Sequence, residues 1–157
     1  MAGNVSRALS FEQALQRAAS LCSQSEHCVT DIAEKLHRWG VSREDSDSIV
    51  DRLLDEKYID ESRYALAYVR DKVRFSHWGR VKIRSMLRMQ RISETDITNA
   101  FDSFDEEEYL NVLEGVIESK RRTLPEAESY ASRVKLIRFA LQRGSEMHEI
   151  TKFISEY

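Results

Sequence analysis

Residues 55–91 read DEKYIDESRYALAYVRDKVRFSHWGRVKIRSMLRMQR, and the spacing of the apolar positions inside this stretch decides the fold. Asp60 stands where a helix N-cap belongs, with Ile59 and Tyr64 at the two positions of a hydrophobic staple, so a helix is predicted from Glu61. Tyr64, Ala65, Tyr68, Val69, Lys72 and Val73 then recur at three- and four-residue intervals until Phe75-Ser76-His77-Trp78-Gly79 breaks the period. A second helix follows, with Ile83, Met86 and Leu87 on one side. At about 100° per residue, Arg80, Arg84, Arg88 and Arg91 fall within an arc of about 80°, an arginine stripe beside an apolar face.

The phrase is repeated along the chain. Upstream, a helix over 30–39 turns Ile32, Ala33 and Leu36 inward and stops at Gly40; Ser42 then caps a helix that carries Ile49, Val50, Leu53 and Leu54. A shift of 51 residues, from Gly40 to Arg91, places Ile83, Leu87, Ile92 and Ser93 on Ile32, Leu36, Val41 and Ser42. It also places Ala100, Phe101 and Phe104 on Ile49, Val50 and Leu53. A further 53 residues on, Leu136 and Ala140 precede Gly144, and Phe153, Ile154 and Tyr157 close a third copy whose expected cap, Ser145, comes one position early. Another helix lies between phrases: Asp60 to Phe75 in the first unit, Asp105 to Arg121 in the second. The latter has Glu106, Glu107 and Glu108 at its positive end, Lys120, Arg121 and Arg122 at its negative end, and Tyr109, Leu110, Val112, Leu113, Val116 and Ile117 as its expected core face. Phe11 to Ser23 forms a leading helix with Ala14, Leu15, Ala18, Leu21 and Cys22 inward.

The expected organisation is a leading helix within 1–25, a three-helix repeat over 26–76, a second over 77–122, and a shortened third over 123–157, after the break at Leu124-Pro125. No unit has enough apolar anchors to offset its own conformational entropy, so neighbours must stack. The fold class is therefore all-α, an elongated, curved array of tandem three-helix repeats. Trp78 reads as a packing residue at the junction of the first two units.

Composition agrees. At 157 residues, with 41% hydrophobic and 32% charged positions, the chain is too apolar for disorder and too polar for a membrane protein. Only 5 Gly and 1 Pro leave few β-turn signals. The opening MAGNVSRALSFEQ has no apolar run of the signal-peptide kind and no window approaches a membrane span, so a cytoplasmic location is expected. Cys22 and Cys28, with His27 and His37 nearby, do not complete a zinc-ligand set, and they read as small buried or half-buried residues. The chain has no Gly-rich phosphate loop, no G-x-S-x-G, no H-E-x-x-H and no partnered histidine among His27, His37, His77 and His148. No enzymatic activity, cofactor, metal or small-molecule substrate is expected.

Charge carries the functional signal. The net charge is −3, yet Arg70 to Arg91 holds eight Lys or Arg against one Asp, while Ile92 to Ser119 holds nine Asp or Glu and no Lys or Arg. Along the sequence this is an electrostatic dipole. Any single charge in such a run is most often a solvated helix face, but a stripe flanked by apolar residues is a surface that a partner can cover. The candidate partner-binding residues are Arg70, Lys72, Arg74, Arg80, Lys82, Arg84, Arg88 and Arg91, with Arg80, Arg84 and Arg88 foremost.

The run YIDESRYALAYVRDKVRFSHWGRVKIRSML resembles the signature region of the RecX family, small bacterial regulators of the recombinase RecA. In that family a "Y(I/L)D(D/E)xRYAxxYVxxK" run leads into a "GxxKIxxxL" helix. CSQSEHCVTDIAEKLHRWGVS is similar to the family's first repeat and KLIRFALQRGSEMHEITKFI to its weaker last one, so the resemblance covers roughly Ala14 to Ile154. It implies a regulator that binds the RecA filament and modulates, mainly by inhibition, ATPase activity, recombination and the SOS and DNA-repair response. The other class of function is a helical DNA-binding module acting without RecA. A major-groove reader would place Arg, Asn or Gln at the start of its second helix, where this chain has Arg43-Glu44-Asp45 and Glu94-Thr95-Asp96. Acidic side chains there repel phosphate, so DNA contact is expected only as weak, sequence-independent binding through the basic band.

Overall fold

The computed structural model describes residues 7–126 and 128–154, and every regular element among them is a helix. In chain order these are α1 (Phe11–Gln24), α2 (Val29–Arg38), α3 (Arg43–Asp55), α4 (Glu61–Arg74), α5 (Arg80–Met89), α6 (Glu94–Asp102), α7 (Glu106–Arg121), α8 (Tyr130–Gln142) and α9 (Met147–Ile150). The all-α class read from the sequence is the class of the structure.

The boundaries follow from local chemistry. Asp60 caps α4: its Oδ1 accepts the Arg63 N–H at 3.1 Å and the Ser62 hydroxyl at 2.8 Å. Ser42 and Ser93 accept from Asp45 N–H and Asp96 N–H, the same cap 51 residues apart. Upstream of each cap lies a left-handed residue, Gly40 at φ 77°, Arg91 at φ 60° and, in the third copy, Gly144 at φ 92°. Val41 N–H reaches back to Leu36 C=O and Ser145 N–H to Ala140 C=O, both at 3.1 Å, which is the six-to-one closure that ends a helix with a left-handed residue. The repeat is thus written in the backbone as well as in the apolar pattern. One detail of the third copy differs from expectation: the N-cap of α9 is Glu146, in register with Ser93, and not Ser145. The Glu146 N–H donates to Glu149 Oε2 at 3.2 Å, so here the third helical residue reaches back to the N-cap backbone, the reciprocal half of a capping box. Tyr157, expected to close this copy, lies outside the described residues.

The chain divides into two compact units, the residues up to Tyr64 with Gln90–Ile92, and Ala65–Met89 with the residues from Ser93 onward. In the first unit α1 packs on both α2 and α3. Ala14, Leu15, Ala18, Ile32, Leu36, Ile49 and Leu53 form its core, closed by Ile59. Cys22 and Cys28 are buried free thiols, as the sequence suggested. Burial pushes the Cys28 thiol up to about 11, so it stays protonated and unreactive at neutral pH. In the second unit α7 packs on α8 and α8 on α9, around Leu113, Ile117, Leu136, Ala140, Ile150 and Ile154.

Not every expected core position is buried. Phe101 on α6 is only half-buried, and so are Leu110, Val112 and Val116, because α7 turns Tyr109, Leu113 and Ile117 to its neighbours and leaves the adjoining strip open. The start of α5 explains why glycines sit at 79 and 144. Gly79 N–H donates to Arg143 C=O at 2.7 Å and Val81 N–H to Gly144 C=O at 2.9 Å. A Cβ on Gly79 would lie 2.3 Å from the Gly144 backbone, and one on Gly144 would lie 2.4 Å from Lys82 Cβ. Two backbones touch here, and only glycine permits it.

Candidate partner-binding face

The basic band runs from the last turns of α4 through residues 75–79 into α5. The structure sorts its members into two groups. In the first, arginines are spent on carboxylates of the acidic run that follows them in sequence. Arg74 makes a forked pair with Glu108, Nε to Oε1 at 2.7 Å and Nη2 to Oε2 at 3.1 Å. Arg88 pairs in the same way with Glu94, at 2.5 and 3.2 Å. The guanidinium beside each holds the carboxyls of Glu94 and Glu108 below the usual carboxylate range, and raises Arg74 and Arg88 in return. The basic and acidic runs, a dipole along the sequence, therefore meet in space and cancel in part.

Arg80, foremost among the candidates, goes furthest inward. Its side chain is 23% exposed, its guanidinium lies 4.2 Å from the centre of the Tyr109 ring, and Nη1 stands 3.4 Å from Glu149 Oε1. Glu149 is 1% exposed, and its Oε2 accepts the Tyr109 hydroxyl at 2.9 Å. The Tyr109 oxygen in turn accepts the Arg80 N–H at 3.2 Å. Burial first, then the Glu149 charge, pushes the Tyr109 phenol well above its ordinary range, so it stays a donor. Arg80, Tyr109 and Glu149 form one polar network inside the second unit. Glu149 was not singled out from the sequence, because it falls where the third repeat is faintest and a Glu at that spacing reads as solvated.

The second group rests on aromatic faces. Lys72 Nζ and Lys82 Nζ lie 4.6 and 4.2 Å from the Trp78 ring centre, so the half-buried indole has two ammonium groups against it. Arg84 lies 5.3 Å from the Phe101 ring centre. Among the described residues none of these three is within ion-pair distance of a carboxylate. Arg70 is exposed on α4 and contributes to the field that acidifies Glu108. Arg91 belongs to the Gln90–Ile92 stretch of the other unit and is exposed at its left-handed position. The spacing thus brings Lys72, Lys82 and Arg84 out as cations held on aromatic rings, and withdraws Arg74, Arg80 and Arg88 into internal pairs.

Residues 60–100 match the family model described as "RecX, second three-helix domain", a range that takes α4 and α5 with most of α6. The regulatory protein RecX of Leuconostoc mesenteroides subsp. mesenteroides is 27% identical over 135 residues, covering 86% of this chain and 51% of that protein. The chain is similar to RecX proteins along most of its length. The RecX protein of Vibrio vulnificus is 26% identical over 139 residues, covering 88% of this chain and 89% of that one. The chain thus spans about half the length of the first of these RecX proteins and most of the second. In fold, the crystal structure of RecX from Lactobacillus salivarius superposes with a TM-score of 0.79 at 18% identity, over 91% of this chain and 93% of that one. A second RecX crystal structure gives 0.75 at 23% identity, over 93% and 75%. RecX relatives are named regulatory proteins, and among the described residues no helix is long and apolar enough to cross a membrane.

Proposed function

We propose that this chain is a non-catalytic, cytoplasmic regulator that binds the RecA filament and restrains recombination, RecA ATPase activity and the SOS response. The observation that carries the reading is similarity to RecX proteins across the greater part of the chain, with the signature run YIDESRYALAYVRDKVRFSHWGRVKIRSML intact. The contact surface proposed is the set of cations not consumed internally: Lys72, Lys82 and Arg84 on their aromatic supports, with Arg70 and Arg91 beside them in the sequence. An ammonium held on an indole keeps its charge and loses part of its conformational freedom before the partner arrives, so less is lost on binding. Such a face suits an anionic partner, whether acidic side chains of the filament or the DNA within it.

The independent DNA-reader alternative has less support. Glu44, Asp45 and Glu94 are exposed at the starts of α3 and α6, where a recognition helix would have to approach phosphate. A pull-down from a bacterial lysate with the tagged chain separates the two readings. Recovery of RecA supports the proposal, and recovery of nucleic acid alone after nuclease-free washing favours the alternative.

A further inference from the structure

Helix α7 carries a glycine in its middle that the fold does not ask for. Gly115 is exposed, and a Cβ placed on it would meet no atom of the chain within 4 Å. Alanine would fit and would make the better helix. Elsewhere in this unit glycine is imposed by touching backbones, as at Gly79 and Gly144; at Gly115 no internal contact imposes it.

What lies beside Gly115 is a groove of about 560 Å³, contained within the second unit and open to solvent. Val112 and Val116 of α7 and Phe139 of α8 supply its apolar lining, the strip that α7 leaves uncovered. Its basic members are Lys120 and Arg143, whose charged groups lie 5.2 and 5.7 Å from the centre of the Phe139 ring. Neither is ion-paired with a carboxylate among the described residues. Arg143 is also held in place, donating Nε to His77 C=O at 3.3 Å and Nη2 to Ser76 C=O at 2.6 Å, so its charge is preorganised.

We propose that this groove is a docking site for an acidic peptide segment of a partner protein. An aliphatic side chain of the segment seats against Gly115 between Val112, Val116 and Phe139, and its carboxylates meet Lys120 and Arg143. The missing Cβ admits the partner close to the α7 backbone, the apolar lining takes the anchor, and the two unneutralised cations select the opposite charge. The volume is in the range of sites that hold a small ligand or a few anchoring side chains. The site uses no residue of the basic face assigned above to RecA, so the two readings stand or fall separately.

The test is a titration of the ¹⁵N-labelled full chain with two acetylated synthetic peptides, one alternating leucine and glutamate and one alternating leucine and lysine. The acidic peptide should bind and move the amide signals of Gly115, Val116 and Phe139, and the basic one should not. Gly115→Leu should fill the groove and weaken binding by about tenfold or more while the melting temperature holds or rises, since glycine is the poorer helix former. Lys120→Glu should weaken it comparably and turn the preference towards the basic peptide. Failure of the acidic peptide to bind, equal binding of both peptides, signal changes confined to other residues, or undiminished binding by Gly115→Leu would each overturn the proposal. Should Gly115→Leu fail to fold, Lys120→Glu on the exposed end of α7 carries the same decision.

Discussion

Two arginines drawn from the same stripe behave oppositely, and the difference is burial. Arg88 and Glu94 form their fork at the surface, where solvent and salt screen the pair. Arg88→Ala should leave the thermal midpoint unchanged within error in a calorimetric scan. Arg80 faces Glu149, which is 1% exposed and also holds the Tyr109 hydroxyl. Glu149→Ala leaves the Tyr109 phenol without its acceptor and the Arg80 guanidinium without its nearest counter-charge, and should cost about 3 kcal/mol, the lower end for breaking a buried pair because Arg80 keeps some solvent contact. Chemical denaturation measures it; a loss below the error of the method would mean that the network contributes no stability. Asp60 offers a pH test. Its carboxyl is held below its ordinary value, first by the Arg63 N–H and then by the Ser62 hydroxyl. A depressed folded pKa means stability that is present above the unfolded value and lost as pH falls through the folded one. Asp60→Asn should therefore flatten the fall in melting temperature between about pH 5 and pH 3, and an unaltered slope would remove the cap from the account.

At the scale of elements, the apolar period placed the helices well and the glycines only in part. The start of α4 at Glu61, the stop at Gly40 and the caps Ser42 and Ser93 were legible because each depends on residues within one turn of itself. The contact of Gly79 with Gly144 was not, since it joins positions 65 residues apart and no local pattern announces it. Gly79→Ala should force the start of α5 off the Arg143–Gly144 turn, at a cost of about 1–3 kcal/mol, the range for overpacking. A stability equal to wild type would show that the turn yields. Leu36, Leu53, Leu87 and Leu113, read as core from periodicity, are buried, whereas Phe101 is half-covered under Arg84. Leu87→Ala should cost about 2–5 kcal/mol in denaturant unfolding, and Phe101→Ala markedly less. Equal losses for the two would contradict the burial described.

On the scale of the whole chain, the repeat was legible and the electrostatics were not. Gly40, Arg91 and Gly144 all sit in the left-handed region, at the 51- and 53-residue spacing the apolar pattern gives. That agreement arises because a helix end and the cap after it are one local device copied three times. Sequence separation says nothing about which carboxylate a long arginine will find: Arg74, Arg80 and Arg88 reach Glu108, Glu106 and Glu94, drawn from the acidic run itself. The surviving cations Lys72, Lys82 and Arg84 each lie over an aromatic ring and have no carboxylate within ion-pair distance among the described residues. The proposal that these cations hold an anionic RecA filament is tested by RecA ATPase on single-stranded DNA, titrated with the wild-type chain and with a Lys72→Ala, Lys82→Ala, Arg84→Ala triple variant. Inhibition by wild type should weaken as salt rises, with the triple variant folded but needing about tenfold or more protein for the same effect. Equal inhibition by the two proteins would remove the face from the mechanism, and no inhibition by wild type would contradict the function itself.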